Sequence, residues 1–174
     1  MDTLAHALWA GLGLAAARRR VPIEPGVAAA TLSLAVLPDL AHLVPLMAGG
    51  GGWRTLIDYI AATPGTEPAL APWVAMLSHH LHCIGHSAVI AGAVTFVAWR
   101  WRRAWMVPLA GWWSHIVIDV FTHSADFYPV PVLYPFTQRG FDGLAWNTPG
   151  FQWVNYGAIA AAVLVLVLTR QRGR

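Results

Sequence analysis

Ala110-Gly111-Trp112-Trp113-Ser114-His115-Ile116-Val117-Ile118-Asp119-Val120-Phe121-Thr122-His123 sets an imidazole and a carboxylate in the middle of an apolar run. His115 and Asp119, at i and i+4, share one face of a helix, and His123 continues that face a turn later. A run this apolar is a membrane helix. Each ionisable group within it is disfavoured by about 2.5–3.5 kcal/mol on insertion scales, so such a group points to function.

The rest of the chain has the same character. Of its 174 residues 57% are hydrophobic and 11% charged, whereas roughly a quarter are charged in ordinary soluble domains. Five segments are long enough to span or nearly span a bilayer: 3–17, 27–48, 80–99, 104–122 and 153–169. The expected fold is therefore all-α, a single polytopic membrane domain over 1–174 with about five embedded helices. Asp2 ahead of the first segment and Arg18-Arg19-Arg20 behind it reverse the charge order of a cleaved signal peptide.

All 11 basic residues are arginine. Runs follow the first segment (Arg18 to Arg20), the third (Arg100, Arg102, Arg103) and the fifth (Arg170, Arg172, Arg174), which puts nine of the 11 on one side. Abutting apolar segments, they read as topology determinants rather than a nucleic-acid surface, and they predict a cytoplasmic C-terminus with the N-terminus outside. Trp99, Trp101 and Trp105 bracket the inner run, while Trp53, Trp73, Trp146 and Trp153 mark outer boundaries. Two outer connections remain. One opens with Gly49-Gly50-Gly51-Gly52 and carries an interfacial helix from Trp53 to Ile60, and the other is the Pro- and aromatic-rich stretch after His123. Both are expected to lie on the membrane surface as a lid or rim. The single Cys83 permits no internal disulfide and no CxxC motif.

On this topology the polar residues agree in depth. At about 1.5 Å per residue, His6 lies about 6 Å outward of the centre of its span, Asp39 and His42 about 3 and 7 Å, His86 about 6 Å, and His115 and Asp119 about 3 and 9 Å. Neighbouring spans run in opposite directions, so the agreement implies one meeting place. Asp39 and His42 share a face at i and i+3, and His79, His82 and His86 recur at i, i+3 and i+7. A His and Asp donor set without Cys suits zinc, with manganese or iron as alternatives. The metal ligands expected are His6, Asp39, His86, His115 and Asp119, with His123 or His82 left to move a proton.

Each of these residues also has a purely structural use. His6 can be a hydrogen-bonded packing residue, Leu37-Pro38-Asp39 a kink with a satisfied carboxylate, His115 with Asp119 an interhelical bond, and His79, His80 and His82 solvated interface residues. Other chemistries fit less well. There is no HExxH, and the only glutamates, Glu24 and Glu67, fall in loops. Gly85-His86-Ser87-Ala88 offers a serine nucleophile with His115 or His123 as base. A bis-His haem site leaves the deep Asp39 and Asp119 without a role.

Met1-Asp2-Thr3-Leu4-Ala5-His6, Leu37-Pro38-Asp39, Gly85-His86-Ser87 and His115-x-x-x-Asp119-x-x-Thr122-His123, followed by Tyr128-Pro129 and Leu133-Tyr134-Pro135, together resemble a family of small bacterial inner-membrane proteins described as membrane-bound metal-dependent hydrolases. The resemblance covers nearly the whole chain. It implies a polar core of His6, Asp39, His86, His115, Asp119 and His123. Where that family commonly has Thr before the His of its first and third motifs, this chain has Ala5 and Gly85. The order of motifs is more distantly similar to the zinc-dependent phospholipase C and single-strand nuclease superfamily. The later HxxxE motif of that superfamily is missing, which implies one or two metals rather than three. The expected activity is hydrolysis of a lipid-borne or lipid-linked phosphoester at the outer face of the inner membrane. The alternative is a membrane protein that binds or handles a metal without turnover.

Overall fold

The computed structural model describes residues 1–49 and 51–171, so Gly50 of the glycine run and Arg172 and Arg174 of the last arginine run lie outside the described residues. Seven α-helices form among them: α1 (Thr3–Ala17), α2 (Pro25–Ala48), α3 (Gly52–Ala61), α4 (Pro72–Gly85), α5 (Ala88–Trp101), α6 (Met106–Thr122) and α7 (Pro149–Gln171). Their ends are written in the sequence. Asp2 caps α1 by accepting from Ala5 N at 3.0 Å, proline opens α2 and α4, and Ser87 caps α5 by accepting from Ile90 N at 3.1 Å.

The expectation of about five spans is only partly met. Two helices, α2 and α7, are long and apolar enough to cross a membrane, and α4 with α5 makes a third if that bent pair counts as one. α1 and α6, at 15 and 17 residues, reach only about 22 and 26 Å at 1.5 Å per residue. The segment expected at 80–99 is interrupted instead of continuous. α4 begins as early as Pro72, and the chain bends by 52° between α4 and α5. His86 leaves helical geometry and Ser87 is extended. This break carries His86 into the interior.

α2 is the central element, packed against α1, α3, α4 and α6. Gly111 lets α6 close on α2, because a Cβ there would stand 2.1 Å from the Thr31 carbonyl oxygen. α5 lies on α6, and α7 lies against α1. α7 exposes Trp153, Val154, Leu164 and Val165, an apolar surface suited to lipid and not to water. The segment after α6 folds back onto the end of that helix. Gly143, Leu144 and Trp146 donate their backbone N–H groups to the carbonyls of His123, Phe121 and Thr122 at 2.9, 3.0 and 2.9 Å, satisfying the open carbonyls at the end of α6.

Candidate metal centre

Asp119, fully buried on α6, is the hub. Its Oδ1 accepts from the Met1 ammonium, lies 2.9 Å from His6 Nε2 and receives the Thr122 hydroxyl at 3.3 Å. Its Oδ2 lies 3.1, 3.2 and 3.6 Å from Nε2 of His86, His115 and His123. Asp39 faces the same group, with Oδ1 at 3.6 Å from His115 Nε2 and 3.9 Å from His86 Nε2. Its other oxygen accepts from Thr3 Oγ1 at 2.9 Å. Side chains from α1, α2, α6 and the end of α4 thus converge, as the agreement in depth requires.

The imidazoles are oriented by backbone carbonyls. Nδ1 of His86 donates to His82 O at 2.8 Å, Nδ1 of His115 to Ala35 O at 2.8 Å, and Nδ1 of His123 to Tyr128 O at 2.7 Å. A carbonyl only accepts, so each Nδ1 holds the proton, and in the neutral ring each Nε2 presents a lone pair. The His86 and His115 Nε2 atoms face one another at 3.0 Å and both point at a carboxylate that is itself an acceptor, whereas the His123 Nε2 accepts from the Met1 ammonium at 3.0 Å. Acceptors at that separation repel unless a cation or protons lie between them.

A divalent cation fits this donor set. Nδ1–H bonds to backbone carbonyls are the usual way a protein orients metal-binding histidines. His6, Asp39, His115 and Asp119 each offer a ligand atom within 4.8 Å of the others, all four residues are buried, and the cluster could hold a metal ion. The Nε2 of His86 borders it. His6 Nδ1 is buried with no hydrogen-bond partner.

A cavity of about 80 Å³ adjoins the cluster, lined in part by Thr3, Asp39, His42, Tyr59, His82, His123 and Tyr128. α3 and the segment after α6 meet at it, with the Tyr59 ring lying 4.8 Å, centroid to centroid, from that of Tyr128. Tyr128 adopts φ +48°, a left-handed conformation that a bulky residue takes at a cost of about 1–3 kcal/mol. In that conformation its carbonyl receives His123 Nδ1. Burial raises the Tyr59 hydroxyl to about 12 and pushes Tyr128 up as well. A second cavity of about 380 Å³, sharing Tyr59, His82 and Tyr128 with the first, is lined by Glu67, Ser78, His79, Asp126 and Gln138 among others.

The histidines left open by spacing now separate. His79 and His80 are exposed, whereas His82 is buried with Nε2 3.3 Å from the Pro129 carbonyl. His123, expected to move a proton, is oriented in the same way as His86 and His115. His42 faces the cavity with Nδ1 buried and unpartnered. The Ser87 hydroxyl, weighed above as a nucleophile, donates to Tyr134 O at 2.6 Å while capping α5. Tyr59, Tyr128 and Thr3 carry no spacing signal in the sequence; Thr3 and Tyr128 fall within motifs that carry the family resemblance, and only the expected interfacial helix from Trp53 to Ile60 hinted at Tyr59. The chain matches no protein-family model, no curated protein and no solved structure.

Proposed function

We propose that this chain is a metal-dependent hydrolase of the bacterial inner membrane that acts at the outer face on a lipid-borne or lipid-linked phosphoester. The observation that carries the proposal is the buried meeting of two carboxylates with three carbonyl-oriented imidazoles beside a cavity. His6, Asp39, His115 and Asp119 would hold the cation, with His86 and His123 completing the donors around it, and zinc suits that set best. When bound, the metal supplies an acidified water and polarises a phosphoryl oxygen. None of the residues lining the two cavities is arginine, so the countercharge for a phosphoryl group falls to the cation and the imidazoles. His42, whose Nδ1 has no partner, or His82, on the wall shared by both cavities, would protonate a leaving oxygen, the latter by giving up its contact with the Pro129 carbonyl. Thr3 holds Asp39, and the Tyr59–Tyr128 lid excludes bulk water.

The deciding experiment follows turnover of a phospholipid phosphodiester in mixed micelles by purified protein. Loss of turnover on chelation and its return with added zinc are expected. A cavity of only about 80 Å³ also favours a second reading, a metal-binding or metal-handling protein without turnover. Stoichiometric metal with no hydrolysis would select it. The outward-facing site requires that reporter fusions after residue 171 and within 124–148 report opposite compartments.

A further inference from the structure

At its outer end α7 is fastened to α1. Met1, Ala5 and Ile159 form a buried apolar core, Trp9 Nε1 donates to Asn155 Oδ1 at 3.0 Å, and the Tyr156 hydroxyl donates to Asp2 at 2.8 Å. Toward the arginine end the two helices part. A cleft of about 680 Å³ opens there, walled by Leu12 and Ala15 of α1 and Val163, Leu166 and Val167 of α7, with Arg18 and Arg19 at its rim. Its size is that of a small-molecule site, roughly 300–1,000 Å³. Among the described residues Arg19 links across it at this end, donating to Thr169 Oγ1 at 2.6 Å and to the Leu166 carbonyl.

Charge at the rim is one-sided. Among the described residues every ion pair belongs to the Asp39–Asp119 cluster, and none contains an arginine. Arg18 has one bond, to the Ile23 carbonyl at 3.4 Å, which leaves most of its donors free. Guanidinium groups pair bidentately with phosphate oxygens. An apolar wedge under such a rim, at bilayer depth, is filled by an acyl chain, since the surrounding solvent is lipid.

We infer that the α1–α7 cleft is a binding site for an anionic phospholipid, its phosphate on Arg18 and Arg19 and an acyl chain between Ala15 and Val163. The lipid joins the arginine end of α7 to the rest of the bundle. This rests on α1 and α7 lying in a bilayer and not on the chemistry proposed for the metal centre.

The test is native mass spectrometry of the detergent-purified full chain titrated with phosphatidylglycerol or phosphatidylethanolamine. Phosphatidylglycerol should be retained and phosphatidylethanolamine lost at the same concentration. Arg18→Gln with Arg19→Gln, and separately Ala15→Leu, which fills the cleft without changing charge, should each weaken retention at least about tenfold, equivalent to about 1.4 kcal/mol. Arg102→Gln with Arg103→Gln should leave it unchanged. Equal retention of both lipids would overturn the site, as would displacement by soluble glycerophosphate. Indifference to Ala15→Leu would do the same by showing contact with the headgroup alone. If the double glutamine variant does not fold, Ala15→Leu with the two lipids still decides.

Discussion

Replacing Asp119 by Asn keeps the volume of the hub and removes its charge. In the native chain both carboxylate oxygens are engaged, Oδ1 by the Met1 ammonium and His6 and Oδ2 by His86 and His115. The amide presents one oxygen and one NH2 donor where two acceptors stood, so one ligand atom is lost and the other is uncharged. Altering a group that merely supports a ligand weakens metal binding about 10–100-fold, and loss of the ligand itself should cost about a thousandfold or more. With metal at about 100 times its Kd, the native protein gains about 2.7 kcal/mol from binding. At the same concentration a thousandfold weaker variant gains about 0.06 kcal/mol. For a chain of this size those gains correspond to a Tm rise of about 5–10 °C against one too small to detect. The assay is thermal unfolding of chelator-stripped protein in detergent, with and without zinc, beside elemental analysis. The metal-centre reading fails if Asp119→Asn retains full metal and the native metal-linked shift. It fails equally if neither protein shifts with zinc, manganese or iron, in which case Asp119 is the anion of a buried hydrogen-bonded ion cluster.

Further outcomes follow from individual contacts. Ser87→Ala removes the cap of α5 and should lower stability by about 1 kcal/mol, yet it should keep native metal content and at least about a tenth of any hydrolytic activity, a loss within about 1.4 kcal/mol; labelling of Ser87 by a fluorophosphonate would reverse this assignment. Gly111→Ala places a methyl 2.1 Å from the Thr31 carbonyl oxygen and should cost about 3 kcal/mol by thermal unfolding, whereas Gly92→Ala, with nothing within 4 Å, should be neutral to within about 0.5 kcal/mol. Tyr59, raised from 10.0 to about 12 by burial, stays neutral in the folded chain where the unfolded chain ionises. Its contribution to stability is therefore complete below pH 10 and is lost as pH rises toward about 12. Tyrosinate absorbance should show a late phase, shared with Tyr128, whose amplitude Tyr59→Phe reduces, and a single transition near the ordinary tyrosine value would contradict the burial of both rings.

Much of this protein was legible in its sequence because bilayer physics acts on composition and spacing. Apolar length specified α1, α2, α6 and α7 to within a few residues, the arginine runs proposed one orientation, and spacing put His115 with Asp119 on one face. The similar depths of His6, Asp39 and the α6 pair pointed to one meeting place, whereas the depth of His86 was reckoned on a continuous 80–99 span that the structure breaks. Tertiary structure decided the rest. An unbroken apolar segment at 80–99 gave no sign of the break at His86 and Ser87. That break depends on Ser87 capping α5 and bonding the distant Tyr134 carbonyl, and on α2 passing close to Gly85, where a Cβ would meet Pro38 at 3.0 Å. Which nitrogen each imidazole presents was likewise hidden, because the carbonyls of Ala35 and Tyr128 that fix two of them come from other parts of the chain. A helix or a hydrophobic span is a property of consecutive residues. A lone pair aimed at a carboxylate depends on hydrogen bonds across the fold, and those exist only once α2, α4, α6 and the segment after α6 have packed.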